Sequence, residues 1–514
     1  MPVHEQQGGN QSLPRLDRNA SFAAMIVTVV RFILGARYDL FRDELYFIVC
    51  GQHPAFGYVD QPPLIPILSA ILYQLKLGAL GVRIPTALAA GAIVYLTIRF
   101  VKLLGGGRIS VVLATLAVVM APILMGMGDT LNPTCFDPLA WTAIAYLLVR
   151  AIRLGDNRAL LFAGVIAGID MEVKYALPMW AAGLFIGLLA TERRVLQRPA
   201  FWGGLALAAI IALPSLIWQA MHGFPFLELM AAAKGKNADV ALGPFVLNQI
   251  FVMNPILAPL WMTGLVAPFV SNRLKDLRFI PIAYAVFFVL VRLGHGKDYY
   301  LAACYPALFI IGGVALGDWA STRVRRGAVV AGMVLASVVS AIMAPLMLPL
   351  LPPSALIAYI NRTGLAPQQQ ERGFQGTTLP QLFADQLGWH DFADEIAAAW
   401  TKIPVSERAQ TGIKLDNYGE AAAVDLYASS RGLPPVLSGH NQYYLWGLRD
   451  QHPTSLLVLQ SDVSDLRPYC EEVIVLGKTY SPFAMAYENN MAIAYCRGLR
   501  MPIEAVWRNA KHYS

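Results

Sequence analysis

The stretch Ala20-Ser-Phe-Ala-Ala-Met-Ile-Val-Thr-Val-Val-Arg-Phe-Ile-Leu-Gly-Ala-Arg37 runs directly into Tyr38-Asp-Leu-Phe-Arg-Asp43-Glu44-Leu-Tyr46. An apolar run of this length reads as a membrane helix. Two adjacent carboxylates at its mouth are costly to hold near lipid, so they mark either a reaction site or a solvated loop. The rest of the chain decides between these.

Of the 514 residues, 56% are hydrophobic and 14% charged, where a soluble domain carries about 25% charged residues. With a mean hydropathy of +0.50, the chain reads as a multi-span membrane protein with a soluble part attached. Its net charge of +7 is better explained as a topology signal than as a nucleic-acid footprint. Met1 to Asn19 is polar and lacks an apolar core, so the first span is expected to act as an uncleaved anchor rather than a signal peptide. Five cysteines give neither a disulfide framework nor a paired metal spacing. Cys470 and Cys496 share the C-terminal region; they pair if it lies outside the cytoplasm, or stand as two unrelated thiols.

Apolar segments are expected near 20–37, 83–101, 109–127, 138–150, 159–170, 175–190, 201–219, 244–271, 279–293, 300–319 and 327–350. Basic residues gather at every second boundary: Arg15 and Arg18; Lys102 and Arg108; Arg150, Arg153 and Arg158; Arg193, Arg194 and Arg198; Arg273, Lys275 and Arg278; Arg323, Arg325 and Arg326. The positive-inside rule makes these cytoplasmic. Loops 38–82, 128–137, 171–174, 220–243 and 294–299 then fall on the outer face, as does the C-terminal region. Within the first of them, Leu64 to Leu80 is apolar but interrupted by Pro66 and Lys76, and reads as a helix at the interface. After about Pro352 the composition becomes that of an ordinary globular domain. A strand at Ile413, a helix over Ala421–Ser430, and buried strands at Ser455–Gln460 and Val473–Leu476 predict an α/β domain. The expected division is a tail (1–19), a membrane domain (20–351) and a soluble domain (352–514).

Acids beside the spans lie mostly in the outer loops. They include Asp39, Asp43, Glu44 and Asp60, then Asp129 and Asp137, then Asp170 and Glu172 beside Lys174. Arg292, His295, Lys297, Tyr299 and Tyr300 share a later loop. A carboxylate can take a proton from an attacking hydroxyl or amine, while Lys, Arg, His and Tyr can hold a phosphate leaving group. There is no GxxxxGK[ST] and no HExxH or paired Cys/His set. Asp129 and Asp137 are open to a divalent cation on spacing alone, but no metal site is predicted.

Six motifs run in order: Arg42-Asp43-Glu44-Leu-Tyr46, Tyr58-Val-Asp60-Gln61-Pro-Pro63, Gly81-Val-Arg83-Ile-Pro85, Phe136-Asp137-Pro138-Leu, Val173-Lys174-Tyr175, and Gly296-Lys297-Asp-Tyr-Tyr300-Leu leading to Tyr305-Pro306. In these the chain, over about residues 20–350, resembles the GT-C glycosyltransferases of the protein O-mannosyltransferase and aminoarabinose (lipid A) transferase type. The resemblance implies a mostly α, polytopic membrane protein with about 11–13 transmembrane helices and a C-terminal extracytoplasmic α/β domain. It implies inverting transfer of a sugar from a polyprenyl-phosphate donor at the periplasmic face of the bacterial inner membrane. Asp43 would be the base, Glu44 would orient acceptor or donor, and Asp137 matches the second-loop acid. Lys174, Lys297 and Tyr300 would lie near the donor phosphate, and Arg292 and His295 are added by proximity. Asp60 and Gln61 would support the first loop. Gln61 departs from relatives that carry Lys or His there, which shifts phosphate holding toward Lys174, Lys297 and Arg292. The C-terminal region is similar to an extension found in a bacterial subset, with Asn417, Tyr418, His440 and Asn441 placed for acceptor or sugar contact; a packed turn is the plainer alternative. The expected partners are the lipid-linked sugar, as co-substrate rather than cofactor, and a lipid, glycan or protein acceptor. A transporter or flippase and an inactive glycan-binding scaffold are the competing classes. A transporter would carry ionisable groups at mid-membrane and internal repeats, and neither is visible here.

Overall fold

The computed structural model describes residues 17–236, 241–366 and 377–513, so Arg15 lies outside the described residues. Asp17 caps the first helix, α1 (Arg18–Gly35), by accepting from the Ala20 N–H. The first loop folds into α2 (Arg42–Gln52) and α3 (Leu64–Tyr73), and α4 (Ala79–Val82) leads into α5 (Ile84–Leu103). At ten residues, α3 is about 15 Å long, well short of a span. Next come α6 (Arg108–Met120), α7 (Pro122–Met127), α8 (Asp137–Leu154), α9 (Asn157–Met171), α10 (Leu177–Thr191), α11 (Arg193–Leu196) and α12 (Pro199–Met221). The segment read as an outer loop at 220–243 contains a helix, α13 (Pro225–Lys236). The remaining helices of the membrane half are α14 (Leu242–Val252), α15 (Ala258–Val270), α16 (Phe279–Leu293), α17 (Tyr305–Trp319) and α18 (Arg323–Met343).

All eleven expected apolar segments carry helix, but they are not eleven full spans. Six of the described helices are long and apolar enough to cross a membrane. The segment 109–127 is parted at Ala121, whose extended backbone precedes Pro122. The segment 244–271 bends by 92°, because Asn254, at φ +71°, caps the Ile256 N–H and starts a new helix. Glycines bring helices into close contact where lipid offers no hydrophobic drive. On α10, a Cβ at Gly183 or Gly187 would come within 2.7 Å of the Ala283 carbonyl or 2.6 Å of the Phe279 carbonyl on α16.

Charge is segregated between the two ends of this bundle. At one end Lys102 pairs with Asp17, and Arg153 pairs with Asp276 at 2.6 Å. There Arg273 also binds the Leu104 and Gly105 carbonyls and Asp318, and Arg198 binds the Ala151 carbonyl. At the other end the acid-bearing loops meet. Arg83 donates to the Gly35 carbonyl, the Leu131 N–H to Glu44, and the Leu64 N–H to the Glu172 carbonyl.

The C-terminal part begins with α19 (Pro353–Thr363), α20 (Gln381–Ala384), α21 (Trp389–Thr401) and α22 (Val405–Arg408). β1 (Thr411–Lys414), α23 (Tyr418–Tyr427), α24 (Gln442–Leu445), β2 (Ser455–Gln460), β3 (Cys470–Lys478), β4 (Ala492–Leu499) and α25 (Ile503–Arg508) follow. The sheet order is β1-β2-β4-β3, with β1 parallel to β2 and the other pairs antiparallel. Its core is continuous with the first loop: Leu45, Phe47 and Ile48 of α2 share one cluster with Trp389, Ile413, Ala421 and Ala422. Cys470 and Cys496 are disulfide-bonded, 26 residues apart. In the chain-entropy view, closing a loop of that size contributes about 3.5 kcal/mol. The double variant Cys470→Ser/Cys496→Ser is therefore expected to unfold at lower temperature, and reductant should shift the wild type but not the variant.

Candidate active site

The site begins at the N-terminus of α2. Asp43 occupies the first helical turn, where the helix dipole favours a negative charge. Its side chain is 32% exposed, with Arg42 Nε 3.6 Å away. The Tyr418 hydroxyl, from the C-terminal part, donates to Asp43 Oδ1 at 2.7 Å. Arg42 is held from the same side by the Tyr487 hydroxyl at 2.6 Å and lies over the Tyr418 ring. Gly419 is required here, since a Cβ would strike the Arg42 side chain.

Glu44 is a correction to the expectation that it touches acceptor or donor. Its side chain is 0% exposed, and Arg83 donates to it through Nη2 at 2.7 Å and Nε at 2.9 Å. The Phe41 N–H (2.8 Å) and Leu131 N–H (2.6 Å) donate to it as well. With its oxygens filled by this set, Glu44 fastens α2 to the start of α5 and to the second loop. Asn417 follows the plainer of the two readings. Its side chain accepts from the Glu420 N–H at 2.9 Å as the N-cap of α23, in a reciprocal capping box, so it is the packed turn.

Asp60 comes close to Asp43 from the other end of the first loop. The Tyr46 hydroxyl donates to its Oδ1 at 2.9 Å, and Asn441 Nδ2 lies 3.4 Å from Oδ2. Burial pushes the Asp60 carboxyl up to about 7; the Tyr46 bond opposes this, and the charge of Asp43 adds to it. The folded chain therefore holds this proton up to about pH 7, where the unfolded chain loses it near pH 4. The group's stabilising contribution is full below about pH 4 and is lost as the pH rises to about 7. Asp60→Asn should remove that slope: the wild-type unfolding temperature, relative to the variant's, falls across this window in a fluorescence melt. His440 lies tilted against the Tyr418 ring, with centroids 4.7 Å apart and planes 49° from parallel. Gln61 is buried, and neither atom of its amide has a hydrogen-bond partner within the protein.

A second group lies between the second and third loops. Lys174 Nζ bonds Asp137 Oδ2 and Thr134 Oγ1, both at 3.0 Å, and sits 5.1 Å from the centre of the Tyr300 ring. Lys297 is on the same turn as Tyr300, its ammonium over the Tyr299 ring at 5.8 Å. Arg292 ends α16 and His295 is exposed just beyond it, at φ +53°. Asp129 turns to Gln386 at 3.4 Å while Asp137 pairs with Lys174. Among the described residues no three His, Cys, Asp or Glu side chains cluster to hold a metal ion.

Several buried polar atoms make no hydrogen bond within the protein: the Gln61 amide, Asp137 Oδ1, Asp170 Oδ1 and Asn441 Oδ1. They fall on the first three loops and on Asn441, next to Asp60. Leaving such atoms unsatisfied costs about 1–3 kcal/mol each. Sequence reasoning missed Tyr46 and Arg42 as contributors, although Tyr46 is three residues from Asp43 and hence on its face of α2. Asp385 and Tyr487, which hold Arg42, had no signal in the sequence.

A helical membrane bundle with a carboxylate-lined first loop and a docked α/β domain is the GT-C arrangement. Comparison with solved structures bears the fold out. ArnT from Cupriavidus metallidurans bound to undecaprenyl phosphate matches with a TM-score of 0.60 at 13% identity, covering 93% of this chain and 97% of that one. The apo form of the same protein matches with a TM-score of 0.60 at 13% identity, over 92% and 97%. The family model described as dolichyl-phosphate-mannose-protein mannosyltransferase matches residues 60–218. No curated protein matches the chain by sequence.

Proposed function

We propose that this chain is an integral-membrane glycosyltransferase that moves a sugar from a polyprenyl-phosphate donor to an acceptor, with inversion, at the periplasmic face of the bacterial inner membrane. The observation that carries the reading is the separation of two chemistries at one end of the bundle. Asp43 is partly exposed and oriented by Tyr418, while Lys174 is anchored on Asp137 against Tyr300. The mannosyltransferase model over residues 60–218, and the likeness to a structure holding undecaprenyl phosphate, favour a lipid-phosphate donor.

In this reaction the acceptor hydroxyl or amine attacks the anomeric carbon from the side opposite the phosphate. Its proton passes to the Asp43 carboxylate as the new bond forms. The anomeric carbon–oxygen bond breaks, and its electron pair stays on the lipid phosphate, whose growing charge is met by Lys174 and the hydroxyl of Tyr300, with Lys297 on the same turn. A single displacement inverts the centre. Tyr418 holds the Asp43 carboxylate in one orientation, leaving Oδ2 to take the proton.

The test is incubation of the purified protein in proteoliposomes with a panel of polyprenyl-phosphate sugars, followed by mass spectrometry. Release of free lipid phosphate with one sugar supports the assignment; release with none across a full panel and several acceptor classes contradicts it. Lys174→Ala is expected to raise the donor KM about tenfold or more, the size of a lost charge-assisted hydrogen bond. An unchanged KM and kcat would move the phosphate site elsewhere.

A further inference from the structure

Where the C-terminal end of α2 meets the sheet-bearing part, a cleft opens that none of the residues assigned to the reaction lines. It measures about 510 Å³, mouth included, and admits water-sized groups over about 170 Å³. That is room for a small ligand such as one sugar ring. Gln52, which ends α2, and His53, which caps it, line the cleft with Asp425 of α23, Ser429 and Arg449. Arg449 is fixed through one nitrogen: its Nη1 donates to Asp425 Oδ2 at 2.6 Å and to the Val436 carbonyl at 3.1 Å. Asp425 is held in turn by the Tyr443 hydroxyl at 3.1 Å and the Val436 N–H at 3.0 Å. Among the described residues, Arg449 Nε and Nη2 make no hydrogen bond, and neither atom is buried. The backbone here is strained, with Arg449 at φ +50° and Asp450 at φ +58°, as at many ligand clamps.

The free Nε–Nη2 edge holds two parallel N–H groups, so its partner must offer two adjacent oxygens. A carboxylate, a phosphate and a pair of neighbouring hydroxyls all do. Charge decides among them. An anion would meet the Asp425 carboxylate and the C-terminal ends of α2 and α23, where the helix dipoles are negative. A cation would meet the guanidinium. A neutral diol meets neither cost, because Arg449 and Asp425 already neutralise each other. Burial and the charge of Arg449 lower the His53 pKa against the pull of Asp425, so its ring is neutral at pH 7. Gln52 and His53 thus each supply a donor and an acceptor to hydroxyl groups. Leu433 and Pro434, also in the lining, give apolar surface to the C–H face of a sugar ring. A peptide has no adjacent oxygen pair short of a charged carboxylate.

We propose that this cleft is a subsite for a neutral sugar unit, held through two adjacent hydroxyls on Arg449, in a glycan acceptor whose reacting end lies at Asp43. Gln52 is nine residues beyond Asp43 on α2, about 14 Å along its axis. The glycan would therefore run on past the unit that reacts. That the sugar belongs to an acceptor rests on the transferase reading; the binding itself rests on the cleft alone.

Saturation-transfer NMR titration of the full-length protein in nanodiscs, without donor, tests this. The probes are mannotriose, maltotriose and cellotriose, beside trigalacturonate and a neutral glycine–serine peptide. At least one neutral trisaccharide should bind the wild type. Arg449→Lys keeps a charge beside Asp425 but loses the paired edge, and should weaken that binding about tenfold. Ser429→Trp, an exposed position whose new ring would occupy the cleft, should weaken it at least as much with Arg449 intact. Both variants should melt with the wild type. The proposal is overturned if no neutral trisaccharide binds, or if either variant binds as tightly as the wild type. It is equally overturned if trigalacturonate or the peptide binds more tightly than every neutral sugar. With no donor present, a failure of turnover leaves this result standing, and a failure of binding leaves the lipid-phosphate release assay standing.

Discussion

Asp43→Asn is expected to lower sugar transfer by about 10²–10⁴-fold, the range for removal of a positioned general base. The amide keeps an oxygen for the Tyr418 hydroxyl, and the side chain is partly exposed, so the variant should fold normally. A rate loss without a shift in unfolding temperature would separate chemistry from structure. Donor binding should persist, because Lys174, Asp137 and Tyr300 are held by other loops. The measurement is single-turnover release of lipid phosphate at saturating donor. Transfer at the wild-type rate would remove Asp43 from the mechanism.

Glu44→Gln should act in the opposite way, through stability. Removing one partner of a buried ion pair costs about 3–5 kcal/mol, since the remaining charge is left uncompensated. Here that charge is Arg83, only 2% exposed. The Phe41 and Leu131 N–H groups lose a charged acceptor at the same time. Thermal unfolding in detergent should fall by many degrees. Glu44→Leu combined with Arg83→Met should recover part of that loss, because two apolar side chains replace a pair that is expensive to bury. If Glu44→Gln kept the wild-type melting point and lost only the rate, the carboxylate would be touching substrate after all.

This pair shows what the sequence could reveal. Asp43 and Glu44 are chemically alike and adjacent, and on α2 they differ by about 100° of rotation. That rotation turns Asp43 toward Tyr418 and Glu44 toward Arg83, a partner 39 residues away. Arg83 stood in a visible motif, but nothing local says which acid it meets. The alternation of basic and acidic loops was legible because charge patterning is a property of the whole chain. The bend at Asn254-Pro255 was hidden inside a continuous apolar run, where hydropathy cannot tell one span from two short helices. Strand β4, Ala492–Leu499, escaped notice because alanine, cysteine and glycine dilute its β-branched signal. Asn417 could be read as a packed turn or as a sugar contact, and its cap bond to the Glu420 N–H is the turn.

The Tyr418–Asp43 hydrogen bond spans 375 residues of chain, and this sets an order of events during synthesis. Asp43 emerges early, with the first membrane helix. Its orienting hydroxyl does not exist until Tyr418, 375 residues later, has been translated. Asn441, beside Asp60, is in turn fixed by a backbone bond to the carbonyl of His512, 71 residues further on. A nascent protein can thus be inserted in the bilayer, among its lipids, with its acidic loop still unarmed. Synthesis of the sheet-bearing part is itself the event that assembles the site.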